Sequence, residues 1–386
     1  MELKSFIIFL SIVLIIYFSV NLYIYKRAMH SLSLAGKSVW FVRTILFILI
    51  LAFPIGRIID ATARCKLSFI LTMSGSIWLG VMLYAVLLLA LIDGYRLLDH
   101  FFNVSPRVIT AHIAQTRRIL FAIAFFLVVL ILSYGFMNAR NCRISNISIY
   151  SEKYPTGKSP LTIVHLSDIH LGTIINETRL FKIVERVNRL NPDLVLITGD
   201  LIDENVSRIS DLVQPLSKMK GKYGVYAVTG NHEVYAGLEE AIRFMKAAGI
   251  TVLRNETVAI DSAVNISGLE DYTINRKLGT MPEIIRSSTS DANENLPTIL
   301  MNHQPIQLEA AQAAGIDLML CGHTHNGQLF PLSLFTSLIY RVSSGYAKLG
   351  DMQIYVSNGV GTWGPPMRLG AQPEIVKISF GRPPSD

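Results

Sequence analysis

Charge is scarce in this chain. Only 16% of its 386 residues are Asp, Glu, Lys or Arg, while 51% are hydrophobic. A typical soluble domain carries about 25% charge, so the deficit points to membrane segments. Cysteine is scarcer still. Cys65, Cys142 and Cys321 make no disulfide framework, and none stands in a Cys-x-x-Cys pair. The chain also lacks a basic stripe in the half that could fold as a soluble domain. Residues 1–159 hold 16 Lys and Arg against 5 Asp and Glu, whereas residues 160–386 hold 19 against 23. Basic residues beside apolar runs reflect membrane topology rather than nucleic-acid binding, so no nucleic-acid partner is expected.

What is present begins with four long apolar stretches, at 6–25, 39–59, 67–92 and 119–137. Each is long enough to cross about 30 Å of hydrocarbon, which takes roughly 20 helical residues. The first is too long for a signal-peptide core, and no clean cleavage site follows it. Residues 1–145 therefore read as a region of four transmembrane helices. No ionisable residue lies in the middle of a stretch; Asp93, Arg96 and Asp99 fall at the end of the third. Conduits place charge inside the bilayer, so this half reads as an anchor rather than a transporter. An even number of spans puts both termini on one side. Basic residues are nearly balanced between the two sides, with a slight lean toward a C-terminal domain outside the cytoplasm.

Residues 146–160 are polar and turn-rich and read as a linker. From residue 161, short β-rich runs alternate with amphipathic stretches, at 161–165, 177–190, 193–198, 207–218, 224–228 and 237–248. That order implies parallel strands with helical crossovers. Residues 276–295 read as a polar surface excursion. Ligands in open α/β sheets gather at the carboxyl ends of strands. Five runs here end in metal-type donors: Asp168 with His170, Asp200, Asn231, His303, and His323 with His325. Seven such groups suffice for two metal ions sharing a carboxylate, and the donor set suits Mn, Fe or Zn. Glycines before Asp200, Asn231 and His323 allow close backbone approach. His165 faces away from Asp168 on its strand and takes no role.

Together these motifs resemble the five-part signature of calcineurin-like metallophosphoesterases: Asp168-Ile-His170, Gly199-Asp-Leu-Ile-Asp203, Gly230-Asn-His-Glu233, His303 and Gly322-His-Thr-His325. The tail 357–370, followed by Pro373-Glu-Ile375, is similar to the YkuE/YaeI-type branch. The resemblance covers about residues 160–380 and implies an α/β fold: a four-layer α/β/β/α sandwich, here assigned to 161–386. It implies that Asp168, His170 and His325 hold one metal and Asn231, His303 and His323 another, with Asp200 bridging. His232 would contact the phosphate and serve the leaving oxygen, and Asp203 would orient His232. Asn231 would also meet substrate, and Arg368 in the tail loop is a further candidate substrate contact. One departure stands out. Protein phosphatases of this superfamily follow the second motif with arginine, whereas Glu204 stands here. That turns the expectation toward diesters, pyrophosphates or small monoesters.

The reading is a membrane-anchored phosphoesterase dependent on two divalent metals. Its expected substrate is a phosphate ester, plausibly lipid-linked, such as a UDP-2,3-diacylglucosamine-type pyrophosphate or a phospholipid or cell-wall diester. The competing reading is a catalytically silent scaffold or sensor of the same fold. Oligomeric state has no signal in the sequence.

Overall fold

The computed structural model describes residues 3–33, 36–62 and 65–384. The chain divides into two compact units, residues 1–135 with 364–366 and the remainder.

In the first unit, helices α1 (Leu3–Leu32), α2 (Lys37–Thr62), α3 (Lys66–Phe102) and α5 (Ile113–Asn138) frame a short helix, α4 (Arg107–Ala111). The four long helices are apolar enough to cross a membrane. Their large side chains stay exposed, among them Ile15, Phe47, Ile58, Ile70 and Phe125. Apolar faces turned outward suit lipid, where the hydrophobic effect no longer drives helices together. Polar ties replace it: buried Trp78 on α3 donates to Asn21 Oδ1 on α1 at 3.0 Å, and Tyr17 donates to the Ile50 carbonyl on α2 at 2.7 Å.

The second unit inverts that pattern. Its first sheet has the order β1 (Arg143–Tyr150), β12 (Glu374–Gly381), β2 (Leu161–Leu166), β3 (Leu194–Thr198), β4 (Val225–Val228), β5 (Thr251–Val252). The second has β10 (Gly345–Leu349), β11 (Met352–Val356), β9 (Leu318–Cys321), β8 (Thr298–Met301), β7 (Val264–Gly268), β6 (Glu256–Ile260). Strands β2 to β5 run parallel, as do β7 to β9 with β11. One core lies where the sheets face each other, built from Ile163, Leu196, Ile266, Ile299, Leu320 and Ile378. Two outer cores join each sheet to helices. On helix α6 (Glu177–Arg189), Leu180, Ile183, Val184 and Val187 are buried at helical spacing, and Asn176 caps its start. Each such burial contributes about 1.5–3 kcal/mol. The layers are helix, sheet, sheet, helix.

Three local expectations differ from this structure. The expected linker begins inside β1, which pairs in parallel with β12 from Arg143↔Glu374 to Tyr150↔Gly381. Its serines and asparagine occupy an edge strand, and only the distant partner gives the segment a register. The expected helix 207–218 breaks into Val206–Arg208, Ser210–Leu212 and a single turn Val213–Leu216 containing Pro215. The helix expected at 237–248 is present as Leu238–Ala247, and a short helix, Asn231–Ala236, precedes it across Gly237, whose φ is 107°. The expected polar excursion holds helix Met281–Ser288, which buries Met281, Ile284 and Ile285 in an outer core.

Candidate metal centre

Strands β2, β3 and β4 are neighbours in one sheet, and β8 and β9 in the other. All five run out on one edge, where the seven donors follow within a few residues. Asp168, His170, Asp200, His323 and His325 have φ between 49° and 71°. Side chains avoid this left-handed region because Cβ crowds the backbone, at a cost of roughly 1 kcal/mol or more each. Five strained polar residues on one edge mark a site that the fold sustains.

The donors meet in two groups. His325 Nε2 lies 3.3 Å from Asp168 Oδ1 and 3.1 Å from His170 Nε2. His303 Nε2 lies 3.2 Å from each of Asp200 Oδ2, Asn231 Oδ1 and His323 Nδ1. Asp200 stands between the groups. Its Oδ1 accepts the His232 N–H at 2.9 Å, which leaves Oδ2 turned toward His303 and, at 3.9 Å, toward His170. Nδ1 of His303 meets the Thr198 carbonyl at 2.8 Å. That bond engages the Nδ1 hydrogen and leaves Nε2 facing the other donors. Clusters of buried imidazole, carboxylate and amide oxygen fit divalent cations, and Asp168–His170–His325 and Asp200–His303–His323 each close tightly enough to hold one.

Electrostatics follow from this crowding. Burial pushes the Asp200 carboxyl up, but His303 beside it, helped by His232 and His170, more than reverses this and holds it well below the usual carboxylate range. Burial pushes His303 down, and Asp200 again reverses it, raising it to about 10. Burial and the neighbouring His303 push His323 down to about 4. Asp203 Oδ1 sits 2.8 Å from His232 Nδ1 and 3.4 Å from His170 Nδ1, so one carboxylate addresses both rings.

Further residues shape the site around the donors. The buried Glu233 carboxylate accepts the N–H groups of Gly230, Ile202 and Asp200 at 2.7, 2.9 and 3.0 Å, tying the ends of β3 and β4 together. A side chain on Gly230 would strike Asp200 Oδ1, and one on Gly322 would strike Ser167 and Asp168, so close approach requires both glycines. Glu204 is buried and accepts the Thr173 N–H at 2.6 Å. The expectation that Arg368 meets substrate fails. The residue is fully buried, and its guanidinium donates to His325 Nδ1 at 2.8 Å and to the carbonyls of Asn358, Gly361 and His325 at 2.6, 2.7 and 3.1 Å. It braces the cluster from behind. The rings around the donors are Tyr235 and Trp363 beside His232 and Tyr340 beside His323.

A family model described as calcineurin-like phosphoesterase matches residues 161–327. A metallophosphoesterase of Helicobacter pylori is 38% identical over 238 residues, 61% of this chain and 63% of that protein. A transmembrane protein with metallophosphoesterase domain from Danio rerio is 34% identical over 269 residues, covering 66% of this chain and 61% of its own length. The chain thus spans under two thirds of these relatives. A metallophosphoesterase of Campylobacter jejuni is 31% identical over 395 residues, 97% of this chain and 98% of that protein. With a relative matched end to end at this identity, the chain belongs to the calcineurin-like phosphoesterase family.

Proposed function

We propose that this protein is a membrane-anchored hydrolase of phosphate esters that works with two divalent cations. The observation that carries the reading is the convergence of seven donors from five strand ends into two groups that share Asp200 Oδ2. Asp168, His170 and His325 would hold one cation, Asn231, His303 and His323 the other, and Mn, Fe or Zn suits both. Bound cations would lower the pKa of a water and neutralise phosphoryl oxygens. His232, held by Asp203, would meet the phosphoryl group and carry a proton to the leaving oxygen; Asn231 would border the same oxygens. The absence of arginine after Asp203 favours diesters, pyrophosphates or small monoesters over phosphoproteins. The tail 357–370, followed by Pro373-Glu-Ile375, is the feature that supports a YkuE/YaeI-type assignment, and within it the Glu374 carboxylate gathers Tyr355, Arg143 and the Asn358 N–H.

A lipid-linked substrate is supported by an exposed apolar helix beside the site. Helix Leu332–Ile339 buries none of its residues, and Leu334, Phe335, Leu338 and Ile339 are exposed, Leu338 by 83%. No charge occurs from Phe330 to Tyr340, and Tyr340 packs on His323. An uncharged apolar ledge beside a phosphate site suits acyl chains. A cytoplasmic domain would admit nucleotide-linked lipid donors; an outer one, toward which the basic residues lean, would admit phospholipid or cell-wall diesters. A reporter fused to the C-terminus separates these.

Manganese-loaded protein in detergent should hydrolyse bis-p-nitrophenyl phosphate, and Asp200→Ala should cut the rate at least about 10³-fold, since one oxygen serves both groups. Full metal binding with no turnover on any ester would instead support a silent scaffold.

A further inference from the structure

The helical unit holds a cavity of about 280 Å³, lined by both charged and apolar side chains, between the end of α1, the end of α3 and the start of α5. Helix α3 has 37 residues, about 55 Å at 1.5 Å per residue, and so outruns about 30 Å of hydrocarbon. Its last turns, which carry Asp93, Arg96 and Asp99, then reach head-group depth.

The charges in this cavity are unequally satisfied. Asp93 accepts the Tyr23 hydroxyl at 2.7 Å and pairs with Arg27 and, at 3.5 Å, with Arg96. Asp99 accepts the Ser105 N–H at 2.6 Å. Both carboxylates are therefore engaged. Arg117, on α5, has a buried Nε without a partner and no ion pair among the described residues. The unmet charge is positive, so an incoming ion gains most as an anion. A guanidinium fork matches phosphoryl oxygens. Leu89, Ile113 and Phe121 line the apolar side, where the glycerol end of a lipid would lie.

We propose that this cavity binds a phosphoryl group, with Arg117 as its recognising cation. The inference rests on the membrane reading of the helices but is independent of catalysis at the metal centre. Two sources share this chemistry, the head group of an anionic lipid and a soluble phosphate.

The test uses the full chain in detergent with EDTA present, so that the metal centre does not answer for phosphate. Unfolding midpoints are followed against dioleoyl phosphatidic acid, inorganic phosphate and dioleoyl phosphatidylcholine. Phosphatidic acid should raise the midpoint, and phosphatidylcholine should not. Arg117→Gln should weaken the apparent affinity about tenfold, as loss of one charge-assisted hydrogen bond implies. Arg117→Lys should retain part of the effect. Arg118→Gln makes the same charge change on an exposed neighbour outside the cavity lining and should leave it intact. A shift with phosphate alone that Arg117→Gln removes supports a soluble source; a shift confined to phosphatidic acid supports the lipid. The proposal is overturned if neither anion shifts the midpoint, if Arg118→Gln acts as Arg117→Gln does, or if Arg117→Gln folds and still responds fully.

Discussion

The two halves of the donor cluster are held by different means. Around Asp168, His170 and His325, every donor is buried, two carboxylates are in reach, and Arg368 grips His325 from behind. Around Asn231, His303 and His323, one carboxylate is shared, the third donor is a neutral amide, and His323 is only half-buried against Tyr340. The first half is closed and rich in negative charge, whereas the second is partly open to solvent at His323. Buried charge strengthens coordination where water cannot compete, and an open, more neutral position exchanges ligand more freely. A cation would thus be retained in the first half, and the second would be better placed to meet substrate.

The largest break in this contrast comes from deleting one donor on each side. Asp168→Ala should lower metal affinity of the first half at least about 10³-fold, because it removes a charged ligand from a closed site. Asn231→Ala should cost the second half only about 10–100-fold, because the lost amide is neutral. Metal content after equilibrium dialysis, read by mass spectrometry, checks both; equal losses would erase the distinction. Arg368→Met sharpens it. Three carbonyls and His325 Nδ1 lose their donor, which should cost about 3 kcal/mol. In a domain of this size that is roughly 6–12 °C of unfolding midpoint, with the metal deficit confined to the first half.

The contrast also explains what sequence alone conveys. The gathering of all seven candidate side chains was legible because each stands next to a glycine or near the end of a short β-rich run, a local pattern. Arg368 was not. Its role depends on Asn358, Gly361 and His325 closing around it, and a loop arginine gives no sign of burial. β1 escaped for the same reason, since its partner β12 lies more than two hundred residues away.

Asp203 links the first half to the neighbouring His232, for it touches His170 and His232 together. Asp203→Asn keeps the shape and removes the charge. It should lower kcat on the chromogenic diester about 10–100-fold while changing metal content little, as the loss of a carboxylate that orients imidazoles implies. Loss of metal equal to that of Asp168→Ala would show that Asp203 serves the first half alone.

The smallest expected effect tests what lies beneath the second half. His165 is fully buried, its Nε2 meets the Thr198 hydroxyl at 2.8 Å, and the Thr198 carbonyl in turn holds His303. Burial keeps the His165 ring neutral and pushes its pKa down from 6.5 to about 3. A histidine depressed in the folded state is a liability in acid. Below pH 6.5 the unfolded chain takes up a proton that the folded chain refuses, so stability is full above that pH and falls as pH drops toward 3. The slope is about 1.4 kcal/mol per pH unit, or about 2 kcal/mol between pH 6.5 and 5. His165→Gln keeps a polar partner for Thr198 and removes the titration. Between pH 7 and 5 its unfolding midpoint should fall less than that of the parent chain, by roughly 4–8 °C. Equal acid sensitivity in the two proteins would move the source to the donor histidines themselves.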